Sequence, residues 1–176
     1  MSRCSLLVAF LILVAPAAQA IESWVERRDE GVVKQSLDYS CGAASVATLL
    51  TYELGRSTSE QEILQLWLES VQEAGGRDDG LLHQGLSYAE MSRVIERLGF
   101  ASGGVAIPLE LVPRLKHPVI IYFEAFDQPH FSVLRSANSR GIKLADPSWG
   151  TVFITYPELS LLLGGSTEIK ALWLSA

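Results

Sequence analysis

The spacing of hydrophobic residues differs between the two halves of the chain. In the first half, apolar side chains recur at three- and four-residue intervals, which predicts helices with one buried face. Small residues follow Cys41, so the first of these helices is expected to pack deep in the core. Thr58 with Gln61 and Ser87 with Glu90 match the capping-box pattern that opens a helix. The predicted helices cover residues 42–54, 59–73 and 87–99.

The second half contains runs rich in aliphatic, β-branched and aromatic residues, which predict β-strands. Short helices are also expected at 108–115 and 157–163, because each begins near a proline. Helices followed by strands favour an α+β fold, in which an N-terminal helical lobe packs on a C-terminal antiparallel sheet lobe, over a doubly wound sheet. The predicted strands cover residues 118–125, 130–136, 141–147, 151–156 and 167–175.

The first twenty residues match the three-part pattern of a secretory signal peptide. Arg3 gives a basic start, residues 6–15 are an unbroken apolar run, and Ala18-Gln19-Ala20 fits the cleavage site. Ten apolar residues span about 15 Å as a helix, half of a bilayer core, so a retained transmembrane anchor is the less favoured alternative. We therefore expect an exported protein, periplasmic or extracellular, with a lead-in at 21–32 and a single domain at 33–176.

Composition and charge narrow the function classes. The chain has 176 residues, of which 48% are hydrophobic, enough for one sizeable core. Its formal net charge of −6 argues against a protein that binds nucleic acid or anionic lipid through a basic surface. The sequence contains neither the HExxH spacing of a zinc hydrolase nor the GxSxG of a lipase-like serine enzyme. We expect no cofactor and no metal.

Cleavage after Ala20 removes Cys4 and leaves Cys41 as the one cysteine of the mature chain. Taken alone, a free cysteine is as well explained as a small buried hydrophobe. The position of Cys41 at the predicted start of a helix favours a reactive thiol, because the helix dipole and free N–H groups stabilise a thiolate. Gln35, six residues upstream, carries an amide that can reach back as an oxyanion donor.

Three histidines are candidates for a general base. His83 lies in the glycine-rich loop 74–85, and His117 precedes a proline at a strand entrance, so both are expected to be solvated. His130 opens a predicted strand, and the strand that returns from the next turn ends at Asp146.

The turn signal at Asn138-Ser139 lies midway between His130 and Asp146. An antiparallel hairpin centred there places the two residues nearly opposite each other. The carboxylate then fixes the tautomer and orientation of the imidazole, while the other ring nitrogen faces a thiol.

The segment QSLDYSCGAA, from Gln35 to Ala44, resembles the glutamine-to-cysteine motif of the C39 peptidases. These are papain-like cysteine proteases that include the double-glycine leader peptidases of bacteriocin exporters. The resemblance continues through PHFSVL, which contains His130, and through ADPSWG, which contains Asp146, in the expected order and rough spacing. It covers nearly all of residues 33–175 and implies a papain-like fold.

By this resemblance, Cys41 is the nucleophile, His130 the general base and acid, Asp146 the residue that orients His130, and Gln35 an oxyanion donor beside the Cys41 N–H. The implied activity is that of a cysteine endopeptidase acting on a peptide or protein substrate, with small residues such as glycine before the cut. The best-known family members are fused to membrane spans and an ATP-binding module, and this sequence has no GxxxxGK[ST] phosphate loop. The substrate therefore stays open, and a secretion or surface-fibre system is a partner by analogy only.

Two other interpretations stay open from the sequence. An acyl-transfer enzyme uses the same Cys–His–Asp set with an amine in place of water. A peptide-binding module or adaptor keeps the fold and holds an extended segment in a cleft without turnover. We also expect Tyr39, Phe131 and Trp149 to lie near such a cleft, and the loop 74–85 to form its rim or lid.

Overall fold

The computed structural model describes residues 23–75, 85–125 and 128–176. The predicted signal peptide with Cys4, residues 76–84 of the predicted rim loop, and His83 within that loop lie outside the described residues. Within the described ranges, none of the helices combines the length and the apolar character needed to cross a bilayer.

The chain runs through a set of helices and then through a sheet. The helices are α1 (Trp24–Asp29), α2 (Cys41–Tyr52), α3 (Glu60–Glu73), α4 (Tyr88–Arg97) and α5 (Tyr156–Leu162), with a 3-10 helix at Leu109–Arg114. The strands are β1 (Ala101–Pro108), β2 (Val119–Ala125), β3 (Gln128–Ala137), β4 (Gly141–Asp146), β5 (Gly150–Thr155) and β6 (Glu168–Ser175).

Local capping interactions explain where two of these helices begin. At α4, Ser87 and Glu90 form the predicted capping box, with each backbone N–H donating to the other side chain. The capping prediction for α3 is wrong by one residue, because Ser59 is the N-cap and accepts from the N–H of Glu62. The Thr58 hydroxyl instead donates to the carbonyl of Arg56, so it does not cap the helix.

Two elements, α1 and β1, are absent from the sequence-based prediction. The sequence of β1, ASGGVAIP, has weak strand propensity because it contains two glycines and a proline. It is a strand because it pairs antiparallel along its whole length with β6. A Cβ at Gly103 would lie 2.8 Å from the ring of Trp173 on that strand, so the indole packs where a larger residue would not fit.

The six strands form one antiparallel sheet in the order β1-β6-β2-β3-β4-β5. Residues of β2, β3, β4 and β6 enter two hydrophobic clusters, one on each face of the sheet. On one face, Val133 of β3 packs in the cluster formed by α2, α3 and α4, which includes the fully buried Trp67. On the other face, Leu134 packs in the cluster that contains Val112 of the 3-10 helix and Leu159 of α5. The predicted α+β class, with helices packed on an antiparallel sheet, is confirmed.

Helix α2 lies at the centre of the helical cluster, and its first ten residues are all buried. Small side chains make this depth possible. A Cβ at Gly42 would lie 3.0 Å from the terminal methyl of Met91 and 3.4 Å from the carbonyl oxygen of Leu86. The N-terminus of α2, where Cys41 lies, therefore packs closely against Met91 of α4 and against Leu86.

Candidate active site

Cys41 is the first residue of α2, as the sequence predicts, and is 6% exposed. Ser40 is the N-cap residue, but its side chain does not cap the helix. The Ser40 hydroxyl turns back to Leu37 instead, donating to its carbonyl at 2.7 Å and accepting from its N–H at 3.1 Å. The start of α2 thus places a thiol at the positive end of a helix dipole with no side-chain cap in front of it.

The strands β3 and β4 bring His130 to Asp146, with His130 Nε2 2.8 Å from Asp146 Oδ2. Their register differs from the predicted one, because Val133 pairs with Ala145 and Leu134 with Leu144. Continuing this register places Asp146 opposite residue 132 rather than 130, so the imidazole and carboxylate meet along the diagonal of one face of the sheet.

Asp146 is fully buried at the end of β4, where a tight turn supplies it with donors. Its Oδ1 accepts the backbone N–H groups of Ser148 and Trp149, both at 2.9 Å, and its Oδ2 faces His130. Burial alone would raise the pKa of Asp146, but the hydrogen bond and charge of His130, together with these N–H groups, lower the pKa below its usual value. The carboxylate is therefore ionised and fixed in direction.

His130 is 8% exposed and lies between Asp146 and Cys41. Since its Nε2 faces Asp146, its Nδ1 is the ring nitrogen left for the neighbouring Cys41 thiol, which interacts with the imidazole. Burial alone would lower the pKa of His130, but the hydrogen bonds and charges of Asp146 and Cys41 raise it to about 9. Its ring packs against Phe123 and Trp149, with centroids at 5.3 and 5.4 Å. The arrangement favours a positively charged imidazolium beside the Cys41 thiol.

Gln35 is partly buried on the segment that leads to α2, next to the turn that follows Asp146. Its backbone N–H donates to Pro147 O at 3.2 Å, and its Oε1 accepts the Ser148 hydroxyl at 2.8 Å. Its Nε2 donates to Leu37 O at 3.0 Å. Because a carbonyl can only accept, this contact fixes which side of the amide is nitrogen. Among the described residues, Leu37 O is the hydrogen-bond acceptor for Gln35 Nε2. The second hydrogen of this nitrogen is therefore available to a ligand.

A groove of about 1020 Å³ opens over Cys41. One wall is the loop that precedes α2, and the other is the start of β3. At the base, Gly85 approaches Tyr39 so closely that an added Cβ would collide with the Tyr39 carbonyl oxygen. The expectation that Tyr39 and Phe131 lie near a cleft is confirmed, whereas Trp149 stacks on His130. The groove is lined by Ser36, Leu37, Asp38, Tyr39, Cys41, Gly85, Leu86, Gln128, Pro129 and Phe131.

The structure brings all four predicted site residues together, and His117 is exposed, away from them, as expected. Sequence reasoning missed two further residues. Ser148 follows Asp146 by two positions in a turn-forming segment, and that pattern predicts backbone donors to the aspartate but not a bond to Gln35. Glu60, which bonds to Ser36, left no signal, because an acidic residue in the first turn of a helix is ordinary.

Comparison with known proteins identifies the family. The sequence model of the peptidase C39 family matches residues 29–162. The chain is 32% identical over 130 residues to the probable functional amyloid protease FapD of Pseudomonas aeruginosa, a match over 74% of this chain and 55% of FapD. It is 33% identical over 141 residues to an uncharacterized protein of Methanothermobacter marburgensis, covering 80% and 88% of the two chains. The chain spans about half the length of the FapD proteins it matches.

Solved structures share the fold. The peptidase domain of Streptococcus ComA, a bi-functional ABC transporter involved in quorum sensing, aligns with a TM-score of 0.65 at 17% identity over 82% of this chain and 96% of that domain. A double glycine motif protease from an AMS/PCAT transporter, solved with its leader peptide, aligns with a TM-score of 0.59 at 22% identity over 82% and 89%. The chain has the papain-like fold of these domains and belongs to the peptidase C39 family.

Proposed function

We propose that this member of the peptidase C39 family is a cysteine endopeptidase in which Cys41, His130 and Asp146 form the catalytic triad. The observation that carries the proposal is the series from Asp146, hydrogen bonded to His130, to Cys41, which begins a buried helix and lines a groove. Family membership supports peptidase activity, and the geometry supports a thiol mechanism.

In the proposed reaction, the Cys41 thiolate attacks the scissile carbonyl carbon and forms a tetrahedral oxyanion. His130, which is positively charged in the resting pair, gives its Nδ1 proton to the leaving amine as the C–N bond breaks. Neutral His130 then takes a proton from water, whose oxygen attacks the thioester and releases the acid. Asp146 keeps Nε2 protonated throughout, so that the proton exchanged in each step is the one on Nδ1.

The oxyanion is stabilised by two donors in this proposal. One is the backbone N–H of Cys41 at the helix start, and the other is the remaining Nε2 hydrogen of Gln35. The Ser148 hydroxyl and Leu37 carbonyl hold the amide in the orientation that presents this hydrogen.

The proposed substrate is an extended peptide with small residues before the cut. Support comes from the close approach of Gly85 to Tyr39, two residues that line the groove with Cys41. A relative of this fold was solved with a leader peptide, and FapD is named as a functional amyloid protease. We further propose that the protein is exported and acts on a subunit of a secretion or surface-fibre system.

Alkylation of Cys41 tests the thiol mechanism without knowledge of the natural substrate. The mature chain is treated with a limiting dose of iodoacetamide at about pH 6, and labelling is followed by intact mass. We expect rapid labelling of the wild type and a rate at least about tenfold lower in His130→Ala, because a thiol without a charged partner is mostly protonated at that pH. His117→Ala, which removes an exposed histidine outside the site, is the matched control and is expected to label like the wild type.

Slow labelling of the wild type, with no difference from His130→Ala, would refute a Cys–His pair and would leave the peptide-binding module as the better interpretation. If labelling is rapid, cleavage of acetyl-Leu-Gly-Gly coumarin amide is measured next, with Cys41→Ala as the inactive control. Release of the free acid in water alone shows hydrolysis, and hydroxamate formed with added hydroxylamine shows that the thioester can also pass its acyl group to an amine.

A further inference from the structure

Glu60 is a buried carboxylate that the proposed reaction does not use. It is the first residue of α3 and is 2% exposed. Its oxygens accept from the N–H of Ser36 at 2.8 Å, the Ser36 hydroxyl at 2.6 Å and the side-chain amide of Gln61 at 3.3 Å. Among the described residues, no lysine, arginine or histidine forms an ion pair with it.

A buried carboxylate is costly unless donors and dipoles replace its lost hydration. Here the N-terminus of α3 and the two Ser36 donors supply that replacement. The two Ser36 bonds join residues 24 positions apart, so they attach the segment before α2 to a separate helix. The carboxylate therefore fixes Ser36 rather than the helix to which it belongs.

Ser36 is the neighbour of the proposed oxyanion donor. The N–H that Glu60 holds belongs to the peptide unit that follows Gln35. The peptide unit that precedes Gln35 is held on its other side, where the Gln35 N–H donates to Pro147 O. These two bonds fix both peptide planes around the Gln35 Cα, and with them the direction in which the side chain leaves the backbone.

Several hydrogen bonds of the loop after Ser36 converge on one carbonyl. The Leu37 carbonyl accepts three hydrogen bonds, from the N–H and hydroxyl of Ser40 and from Gln35 Nε2. These bonds give the loop its shape, and its position also depends on bonds to other elements. The bonds from Ser36 to Glu60 attach it to α3, and the same loop forms one wall of the groove.

We infer that Glu60 is a positioning residue for Gln35: by holding Ser36, its carboxylate keeps the amide of Gln35 where it meets the oxyanion formed at Cys41. The inference rests on the proposed function. Its role is separate from that of Asp146, which orients His130 and thereby the thiolate. Loss of Glu60 is therefore expected to slow turnover and to leave the reactivity of the thiol unchanged.

Three variants of α3 isolate the effect. Glu60→Ala removes both acceptors for Ser36. Glu60→Gln keeps an oxygen for the Ser36 N–H, and its amide nitrogen can donate to the Ser36 hydroxyl, which is able to accept. Glu62→Ala is the matched control, since it removes a carboxylate from the same helical turn but one that is paired with Arg56. All three change the charge at the α3 N-terminus by the same amount.

Two rates are measured for each variant of the mature chain, namely kcat for acetyl-Leu-Gly-Gly coumarin amide and the iodoacetamide rate at about pH 6. Removal of an oxyanion donor lowers kcat about a hundredfold or more, and this value is the upper limit for the effect of displacing such a donor. We expect Glu60→Ala to lower kcat about tenfold with an alkylation rate within about twofold of wild type. We expect Glu60→Gln and Glu62→Ala to stay within about threefold in both rates. In a Gln35→Ala background, Glu60→Ala is expected to cost less than about twofold more.

Each alternative outcome has a defined meaning. A wild-type kcat in Glu60→Ala overturns the inference and leaves the proposed function standing. The same follows if Glu60→Ala lowers kcat as much in the Gln35→Ala background as it does in the wild type. Equal losses of kcat and alkylation overturn it in favour of general structural damage. A wild type that neither cleaves the probe nor labels faster than His130→Ala refutes the proposed function itself, and the role of Glu60 with it.

If Glu60→Ala is not folded by circular dichroism, Ser36→Ala decides the question. Ser36 is exposed, and this variant deletes the 2.6 Å hydroxyl bond while leaving α3 unchanged. A decrease in kcat of at least about threefold with unchanged KM and alkylation supports positioning. A change in KM alone indicates a substrate contact at the groove and overturns the inference. Wild-type values of kcat and KM in Ser36→Ala also overturn it.

Discussion

Replacing Asp146 by asparagine tests the site at its most buried residue. In the wild type, Oδ1 accepts two backbone N–H groups and Oδ2 faces His130 Nε2. An asparagine cannot satisfy both sides, because it has one oxygen. If the oxygen stays with the two N–H groups of the turn, the amide nitrogen faces His130, and Nε2 must become an acceptor. The proton then moves to Nδ1, where a neutral imidazole cannot accept the thiol proton.

The size of the effect follows from the charge state of His130. A rise in its pKa from 6.5 to about 9 corresponds to roughly 3 kcal/mol in favour of the imidazolium. Asp146 and Cys41 share this stabilisation. If the carboxylate supplies half of it, its loss costs about 1 to 2 kcal/mol, or on the order of tenfold in the population of the charged imidazolium. The wrong tautomer adds to this loss during turnover, so we expect about tenfold in alkylation at pH 6 and about a hundredfold in kcat.

The assay is the iodoacetamide rate measured by intact mass at intervals between about pH 5 and pH 9, with peptide turnover alongside. The difference in iodoacetamide rate between Asp146→Asn and wild type should be largest at acidic pH. It should shrink as the pH rises, because a thiol then loses its proton without a charged partner. Asp38→Asn is the matched control, because it removes an exposed carboxylate from the rim of the same groove. An Asp146→Asn protein that is folded and labels like wild type at pH 6 would refute the reasoning.

Three further predictions follow from the same geometry. The raised pKa of His130 means that its charged form stabilises the folded state fully below about pH 6.5, and that this contribution disappears as the pH rises towards 9. The melting-temperature difference between wild type and His130→Ala should therefore shrink over that pH range. A difference that stays constant would contradict this prediction. Gly85→Ala should lower the melting temperature by several degrees more than Gly75→Ala. Both glycines have φ near +70°, but only the Cβ added at Gly85 would meet the Tyr39 carbonyl. Equal decreases in melting temperature, measured by differential scanning calorimetry, would show that this contact relaxes. Gln35→Ala should lower kcat about a hundredfold at an unchanged alkylation rate, and full kcat would exclude the amide as an oxyanion donor.

Helix boundaries follow from local sequence where the capping residues have no competing partner. The box formed by Ser87 and Glu90 is an example, since all its bonds lie within three residues. At the start of α3, two overlapping pairs fit the same pattern. Ser59 with Glu62 prevails over Thr58 with Gln61, because Thr58 bonds to Thr51 on the preceding helix. That contact becomes visible only when α2 and α3 are packed together.

Strand β1 shows the limit of local propensity. Two glycines and a terminal proline carry no strand signal, and the segment becomes a strand because β6, more than sixty residues later in the chain, pairs with it from Ala101↔Ser175 to Pro108↔Glu168. Trp173 lies over Gly103, so the glycine that weakens the local signal is required by the tertiary contact. No window of local sequence contains both partners.

The sequence by itself predicted the chemical groups of the candidate site and their order, because the three short segments that contain Cys41, His130 and Asp146 each resemble a C39 peptidase motif. The tertiary structure decided their geometry. The hairpin pairs Ala137 with Ile142, and the register shift between Leu134 and Ser136 then places Asp146 opposite residue 132 rather than 133, on the diagonal to His130. It also decided that Glu60 holds the loop before Cys41. Hydrogen bonds between residues distant in sequence depend on how the strands and helices pair and pack. The spacing of residues along the chain does not specify that packing.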